Sequence, residues 1–190
     1  MFEDKDIWLI SHSPRRIQLL TELGLKFRTG EAHVNEVYPD TLKCEEIAVY
    51  LSQLKAHHAS CAIDANTVII TADTIVWAGN KALGKPADAD EARQMLKLLS
   101  GKTHQVVTGV TLRSSMGEHS FYEKTDVTFR QLSDADIDYY INTYKPFDKA
   151  GAYGIQEWIG MIGVERISGC FYNVMGLPVS RLYKELTAFV

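Results

Sequence analysis

The sequence predicts an α/β protein in which helices flank a largely parallel or mixed central sheet. Short apolar or β-branched runs alternate with segments of helical periodicity along the chain, a pattern typical of this class. Apolar residues make up 46% of the chain and charged residues 23%, a composition that excludes a disordered or collagen-like protein. The length of 190 residues, without repeats or an obvious linker, predicts a single domain over residues 1–190.

The first half of the chain begins with a strand that leads directly into a helix. Residues 7–10 form an apolar run typical of a buried strand. The helix after it has Ser13 at the N-cap and Pro14 at its first position, and Gly24 ends it. Patterns of the same kind predict a strand over 25–29, a helix over 44–62 and a long, β-branched central strand over 67–78.

The second half alternates in the same way. A helix is predicted over 88–99, followed by two strands, 104–112 and 121–129, around a turn. Ser133 with Asp136 three residues later has the spacing of a capping box and begins a helix that ends near residue 144. The remaining predicted elements are a Gly-rich loop over 148–154, a strand over 160–167 and a closing helix over 178–186.

Charge and cysteine content exclude several functions. Twenty-four acidic against twenty basic residues give a net charge of −4, whereas a nucleic-acid-binding protein normally presents a basic field, so no nucleic-acid partner is expected. The three cysteines fit no metal-ligand spacing and indicate free, buried thiols in a reducing compartment. The first residues are acidic and no apolar run could span a bilayer, so we expect a cytoplasmic protein without a membrane partner.

The segment 11–16, Ser-His-Ser-Pro-Arg-Arg, has the features of a phosphate site. A helix that begins directly after a strand leaves unpaired N–H groups, and its dipole favours an anion there. The hydroxyls of Ser11 and Ser13 add donors, and Arg15 and Arg16 add positive charge where basic residues oppose the dipole. The alternative is a simple Ser-Pro cap with two solvated arginines.

Asp73 lies in the middle of the apolar predicted strand 67–78. An ionised carboxylate in such a strand is costly unless it is paired, hydrogen-bonded or metal-bound. Acids placed at such a cost are often catalytic or metal ligands, which favours a functional role. The alternative is that Asp73 lies at a bulge or an exposed edge and bonds to local backbone.

Two further segments have weaker signals. Residues 79–86 match a P-loop except that Pro86 replaces the final Ser or Thr, so a P-loop NTPase is not favoured, although Lys85 could still approach a phosphate. Residues 148–156 form a Gly-rich loop that allows close approach of a ligand and ends at Gln156. The Gln156 amide could pair with a uracil-type base; the alternative is an exposed side chain in a turn.

Together and in this order, these segments resemble the Maf family of nucleotide pyrophosphatases. The matching motifs extend from Leu9 to the segment 174–178 and include Ala-Asp-Thr at 72–74, Gly-Lys-Pro at 84–86 and Lys-Ala-Gly-Ala-Tyr-Gly-Ile-Gln at 149–156. The resemblance implies a mixed α/β fold of two lobes with a cleft, and metal-dependent hydrolysis of a nucleoside triphosphate to monophosphate and pyrophosphate. The Ala-Asp-Thr motif and the final Gln are similar to the subfamily that acts on dTTP and UTP.

The resemblance also implies roles for individual residues. Asp73 corresponds to the proton acceptor, and with Glu36 it is expected near a divalent cation, Mg²⁺ or Mn²⁺. Three positions correspond to those linked to substrate choice: Arg15, Thr74 and Gln156. The other polar positions of the cleft that match are Ser11, Arg16, Lys55 and Lys85. Without the resemblance, Glu36 would be a loop acid and Lys55 a solvated helix lysine.

The competing function is a non-catalytic nucleotide-binding regulator of cell division, because some members of the family are associated with inhibition of septum formation. The intact Asp73, Lys85 and Arg15 favour catalysis. A small-molecule nucleotide is the expected partner, and a homodimer is left open. The sequence departs from the family pattern at four places: Ile10, Asn35, the Glu-Trp pair at 157–158 and the Ser-Gly-Cys segment at 168–170.

Overall fold

The centre of the structure is a seven-stranded mixed sheet, described for residues 2–190 by a computed structural model. The order of the strands is β2-β1-β3-β5-β6-β7, and β4 pairs with part of β3. β1 runs parallel to both β2 and β3, and every other pairing is antiparallel. The strands are β1 (Asp6–Ile10), β2 (Arg28–Gly30), β3 (Thr67–Ala78), β4 (Lys81–Leu83), β5 (Thr103–Ser114), β6 (Gly117–Phe129) and β7 (Val164–Ser168).

Helices cover both faces of the sheet. They are α1 (Pro14–Glu22), α2 (Glu45–His57), α3 (Ala89–Leu99), α4 (Asp134–Tyr144), α5 (Trp158–Gly163), α6 (Phe171–Met175) and α7 (Val179–Phe189), with one 3₁₀ turn at Ala150–Ala152. α2 covers one face through a small cluster that includes Ile47, Leu51 and Ile75. The larger apolar core on the other face receives side chains from α1, α3, α4 and α7. The predicted fold class is therefore confirmed.

Most elements lie where the sequence predicts them, but the helix predicted over 44–62 ends early, at His57, and one predicted strand is partly helical. The long strand over 67–78 and the capping box of Ser133 and Asp136 are confirmed. The predicted strand over 160–167 is wrong in its first half, because α5 continues to Gly163 before β7 begins. A short apolar run has no periodicity that separates helix from strand. The burial of Ile159 and Gly163, four residues apart, shows the helical spacing.

The sheet opens at the middle of β3. β1 pairs with β3 as far as Ile70, and β4 pairs with β3 only from Val76 onward. Between these points the register of the described residues gives β3 no partner on that edge. β1 has meanwhile turned into the loop that begins α1. Parallel strands that separate at their carboxyl ends form the crevice in which α/β proteins commonly bind ligands.

α2 lies unusually close to the sheet beside this opening. Gly109 of β5 pairs with Asp73, and a Cβ atom at Gly109 would come within 2.3 Å of the backbone of Ala48 in α2. Only a residue without a side chain allows this approach. The close contact brings the later turns of α2, and Lys55 with them, over the middle of β3.

Cys44, Cys61 and Cys170 are free thiols; Cys44 is buried and the other two are half-buried. Across residues 2–190, the helices are all too short or too polar to traverse a bilayer.

Candidate active site

The opening in the sheet forms one end of a cavity of about 460 Å³, within the range of small-molecule sites. Alternate residues of β3 point to opposite faces, as in any strand. Asp73 points toward α2, on the same side as Thr71 and Ile75. Thr74 points to the other face, toward α1. Both side chains line the cavity, so it extends around the unpaired edge of β3.

The open edge also presents main-chain groups. The two-residue turn after β3 makes Ala78 and Lys81 a hydrogen-bonded pair, so the N–H and C=O of Ala78 point toward β4. Because the direction alternates along a strand, the N–H and C=O groups of Ala72 and Thr74 point to the same edge. Asn66 also follows this alternation, since its carbonyl accepts from the Asp6 N–H at 3.0 Å. The edge thus offers hydrogen-bonding groups to a ligand.

Lys55 joins the two carboxylates that the resemblance places near a cation. Its ammonium donates a hydrogen bond to Asp73 Oδ1 and lies 2.8 Å from Glu36 Oε1. The Lys55 side chain is 14% exposed and that of Asp73 is 10% exposed, whereas the Glu36 side chain is 46% exposed. Asp73 is therefore paired with Lys55, and it does not lie at a bulge.

The two carboxyls differ in proton affinity. Burial raises the pKa of Asp73 above its ordinary value, while the charges of Lys55 and Arg16 act in the opposite direction. Burial also raises the pKa of Glu36, but the hydrogen bond and charge of Lys55 outweigh it, with help from Lys85, and hold this pKa below its usual value. Glu36 therefore remains ionised, and Asp73 binds a proton more readily than Glu36 does.

Arg16 connects the start of α1 to the other face of β3. Its Nε donates to the Gly176 carbonyl at 2.9 Å and its Nη2 to Thr74 Oγ1 at 3.1 Å. The Thr74 hydroxyl is also 2.8 Å from that of Thr108 on β5. Burial lowers the pKa of Arg16, while Asp73 opposes this, and the guanidinium remains charged because arginine does not lose its proton in proteins. A fixed cation thus faces the cavity.

The N-terminus of α1 is open toward the cavity. Ser13 occupies the N-cap, as predicted, but its hydroxyl makes no capping hydrogen bond among the described residues. The Ser11 hydroxyl instead accepts from the Ser13 N–H at 3.2 Å. Both serines line the cavity. The uncapped N–H groups of the first turn, with Arg16 beside them, suit a phosphate.

Arg15 points in a different direction from Arg16. Its Nη1 donates to Asp148 Oδ2 at 2.8 Å, and Asp148 also accepts from Lys149 Nζ at 2.7 Å. Burial raises the pKa of Asp148, but Lys149 and Arg15 outweigh it and lower this pKa to about 2. Asp148 lines the cavity, whereas Arg15 is not among the lining residues. The structure therefore places Arg15 at the rim of the cleft.

Lys85 and Gln156 complete the set of expected site residues. Lys85 is exposed and lines the cavity, and the Gly84 carbonyl before it accepts from the Gly151 N–H at 3.0 Å. This bond holds Lys85 beside the Gly-rich loop. Gln156 is exposed in the turn after the buried residues Gly151–Ile155 and does not line the cavity. The structure thus brings together all of the expected residues except Arg15 and Gln156.

Sequence patterns do not identify three of the groups that organise this site. Asp148 accepts a hydrogen bond from Arg15, and the Gly176 carbonyl accepts one from Arg16. Thr108 bonds to the Thr74 hydroxyl, which in turn accepts from Arg16. Asp148 carries a weak signal, since an acid beside a lysine begins the Gly-rich loop. Thr108 is one of several threonines in a buried strand, and no side chain marks a carbonyl as a ligand. Only the folded arrangement shows their contacts.

The donor set at Lys55 is compatible with a hard divalent cation. Within residues 2–190 no group of three or more His, Cys, Asp and Glu side chains is arranged to hold a metal ion. Asp73 and Glu36 nevertheless converge on one point, which the Lys55 ammonium occupies as a cation. Mg²⁺ is commonly held by one or two carboxylates together with substrate phosphates, so two acids suffice.

Fold and site together define an α/β protein whose cleft is suited to a phosphorylated ligand. A family model described as "Maf-like protein" matches residues 6–189. The chain belongs to this family, which confirms the membership that the sequence motifs predict.

Curated relatives match almost the whole chain. A protein from Phocaeicola vulgatus is 56% identical over 97% of this chain and 96% of its own length. One from Cytophaga hutchinsonii is 53% identical over 95% of this chain and 83% of its own length. One from Bacteroides fragilis is 50% identical over 95% of this chain and 94% of its own length. Each of the three is named dTTP/UTP pyrophosphatase.

Proposed function

We propose that the protein is a nucleoside triphosphate pyrophosphatase that hydrolyses dTTP and UTP to the monophosphate and pyrophosphate. The observation that carries this proposal is the pairing of Asp73 and Glu36 through Lys55, in a cleft that also holds Arg16 and the open start of α1. The names of the relatives support the substrate class. Base-modified pyrimidine nucleoside triphosphates are included among the proposed substrates.

Asp73 is the general base of the proposed reaction. Water is a weak nucleophile near neutral pH, so a carboxylate must accept its proton as its oxygen attacks phosphorus. The new bond forms to the α-phosphorus, the bond from this phosphorus to the oxygen of the α,β-bridge breaks, and pyrophosphate leaves with the electron pair. The raised pKa of Asp73, caused by burial, increases its affinity for the proton that it accepts.

The cations of the cleft stabilise the negative charge that develops. Arg16 is fixed by Thr74 and the Gly176 carbonyl, so it needs no rearrangement when charge grows on the leaving pyrophosphate. Lys85 is exposed at the cavity and can approach the phosphates. Lys55 keeps Asp73 in place and limits the cost of its burial.

Mg²⁺ or Mn²⁺ is the proposed cofactor, and Asp73 and Glu36 are the residues that would hold it. Their hard oxygen donors match the preference of either ion. When bound, the ion would neutralise phosphate charge and lower the pKa of a coordinated water.

The choice of base is assigned to three positions. Thr74 lies in the cavity, whereas Arg15 and Gln156 lie at its rim or outside it. A uracil or thymine ring offers one N–H donor between two carbonyl acceptors. The Gln156 amide and the main-chain groups of Thr74 each provide a donor and an acceptor that could pair with this pattern.

A substrate panel tests the proposed function. Purified protein is incubated with Mg²⁺ and UTP, dTTP, CTP, 5-methyl-UTP or 7-methyl-GTP, and the products are identified by phosphorus NMR. We expect pyrophosphate and the monophosphate from UTP and dTTP, with kcat/KM at least about tenfold above that for 7-methyl-GTP, a difference of about 1.4 kcal/mol.

Two outcomes would contradict the proposal. Preference for 7-methyl-GTP would refute the roles given to Thr74 and Gln156. Release of inorganic phosphate and a diphosphate would show that the β,γ-bridge is broken instead.

A further inference from the structure

A row of charged side chains connects Arg15 to the start of α5. Arg15 is bonded to one oxygen of Asp148 at 2.8 Å, and the other Asp148 oxygen accepts from Lys149 at 2.7 Å. Lys149 Nζ also lies 3.1 Å from Glu157 Oε1. The second Glu157 oxygen accepts a hydrogen bond from the Tyr140 hydroxyl on α4. The charges alternate along the row, and its far end is anchored on a helix.

Burial makes the inner part of this row depend on complete pairing. The Lys149 side chain is only 9% exposed, and that of Glu157 is 20% exposed. A buried ammonium is costly unless opposite charges surround it, and here two carboxylates do so. If the Glu157 charge is removed, Asp148 becomes the only acid paired with Lys149. The ion pair between Asp148 and Arg15 then weakens.

Neighbouring residues pack closely around the row. A Cβ atom at Gly154 would come within 2.9 Å of the Glu157 carboxyl carbon and 3.1 Å of Lys149 Cε. The Gly154 N–H donates to the Tyr140 hydroxyl at 3.0 Å. The Trp158 ring, next along the chain, packs on Tyr139 of α4 at 4.7 Å between centroids. Glu157 and Trp158, which depart from the family pattern, therefore pack the Gly-rich loop 148–156 against α4.

We propose that Glu157, Lys149 and Asp148 are positioning residues that act on the bound nucleotide through Arg15. This inference rests on the proposed function, which assigns Arg15 to the choice of base. Arg15 lies at the rim of the cleft, where its long side chain would be mobile without a partner. A guanidinium that is already fixed loses less entropy on binding than a mobile one. The row fixes it from a helix on the far side of the loop.

A double-mutant cycle tests the proposal. The ligand is a UTP analogue with a methylene group in the α,β-bridge, and its Kd is measured by calorimetry. We expect E157Q to raise Kd about tenfold in the native background, as when a charged hydrogen bond is lost, and less than about twofold in an R15A background. The matched control is E165Q, since Glu165 is exposed and has no ion pair among the described residues.

The outcomes separate this proposal from the proposed function. Equal effects of E157Q in both backgrounds, or no effect of either E157Q or R15A on Kd, overturn the positioning role. A wild-type protein that neither binds the analogue nor releases pyrophosphate from UTP refutes the proposed function and this inference with it. If E157Q does not fold, as judged by Tm, the cycle is run with D148N, for which the same coupling with R15A is expected.

Discussion

Asp73 shows how much the chemistry of one residue depends on its neighbours. Its position in an apolar strand marks it as unusual in the sequence, but its partner does not follow from the sequence. Lys55, eighteen residues earlier on α2, neutralises it and shares its charge with Glu36. Burial raises the pKa of Asp73 and Lys55 limits that rise. The pair sets the pH range in which this proposed base is ionised.

Removing the Lys55 charge should shift the pH dependence of the reaction. Because Lys55 lowers the pKa of Asp73 against the effect of burial, K55M is expected to raise that pKa. The acidic limb of the kcat/KM profile for UTP, where the base becomes protonated, should then move to higher pH. The control is K102M, since Lys102 is exposed and has no ion pair in the described part of the chain. An acidic limb that stays in place or moves lower would contradict this role.

His104 should make the protein less stable in acid. It is 3% exposed, bonds to the Tyr153 hydroxyl at 2.7 Å, and burial lowers its pKa to about 4. Between that value and the ordinary pKa of about 6.5, the unfolded chain binds the proton more readily, so stability falls as pH falls. The loss amounts to about 3 kcal/mol for this group. The free energy of unfolding in urea should decrease less from pH 7 to pH 4.5 for H104Q than for wild type. An equal decrease in the two proteins would contradict this role of His104.

At the scale of elements, pattern strength decides what the sequence predicts. β3 and α3 have long, consistent patterns and lie where they are expected. β4, α5 and α6 have six residues or fewer, and tertiary contacts determine them. The helix predicted over 44–62 ends at His57, because Ala59 leaves it to bridge with Ala32. Local propensity does not report such a long-range contact.

The approach of α2 to the sheet should be sensitive to one methyl group. G109A would place a Cβ atom 2.3 Å from the carbonyl carbon and oxygen of Ala48, so the helix must move away from β5. We expect a loss of stability of about 2 kcal/mol or more and a fall in kcat, because Lys55 moves with the helix. In the control G163A the new methyl meets the end of the Leu132 side chain at 3.0 Å and lies in ordinary contact with Ile159 at 3.9 Å, with no backbone atom among its three nearest neighbours. Unfolding curves and kcat for UTP check both; a neutral G109A would show that α2 can adjust.

At the scale of the molecule, the sequence predicts the class of fold and most of the polar groups of the site, but not their connections. The alternation of strands and helices and the motifs around Asp73 and Lys85 are local, so they can be recognised in one chain. The opening in the sheet depends on where β1 and β4 stop pairing with β3, which is a property of the register. The position of Gln156 outside the cavity likewise depends on how its loop packs on α4.

The central claim is that Asp73, held by Lys55, is the base of a hydrolytic site. Its most direct test is the rate of pyrophosphate release from UTP in Mg²⁺ by wild type, D73N and D40N. Asp40 is an exposed acid in a turn, so D40N controls for the loss of one charge. We predict that D73N lowers kcat by about a hundredfold or more, within the range of general-base catalysis, while D40N stays close to wild type. Equal activity of wild type and D73N would contradict the claim, and if both were inert the non-catalytic regulator would be favoured.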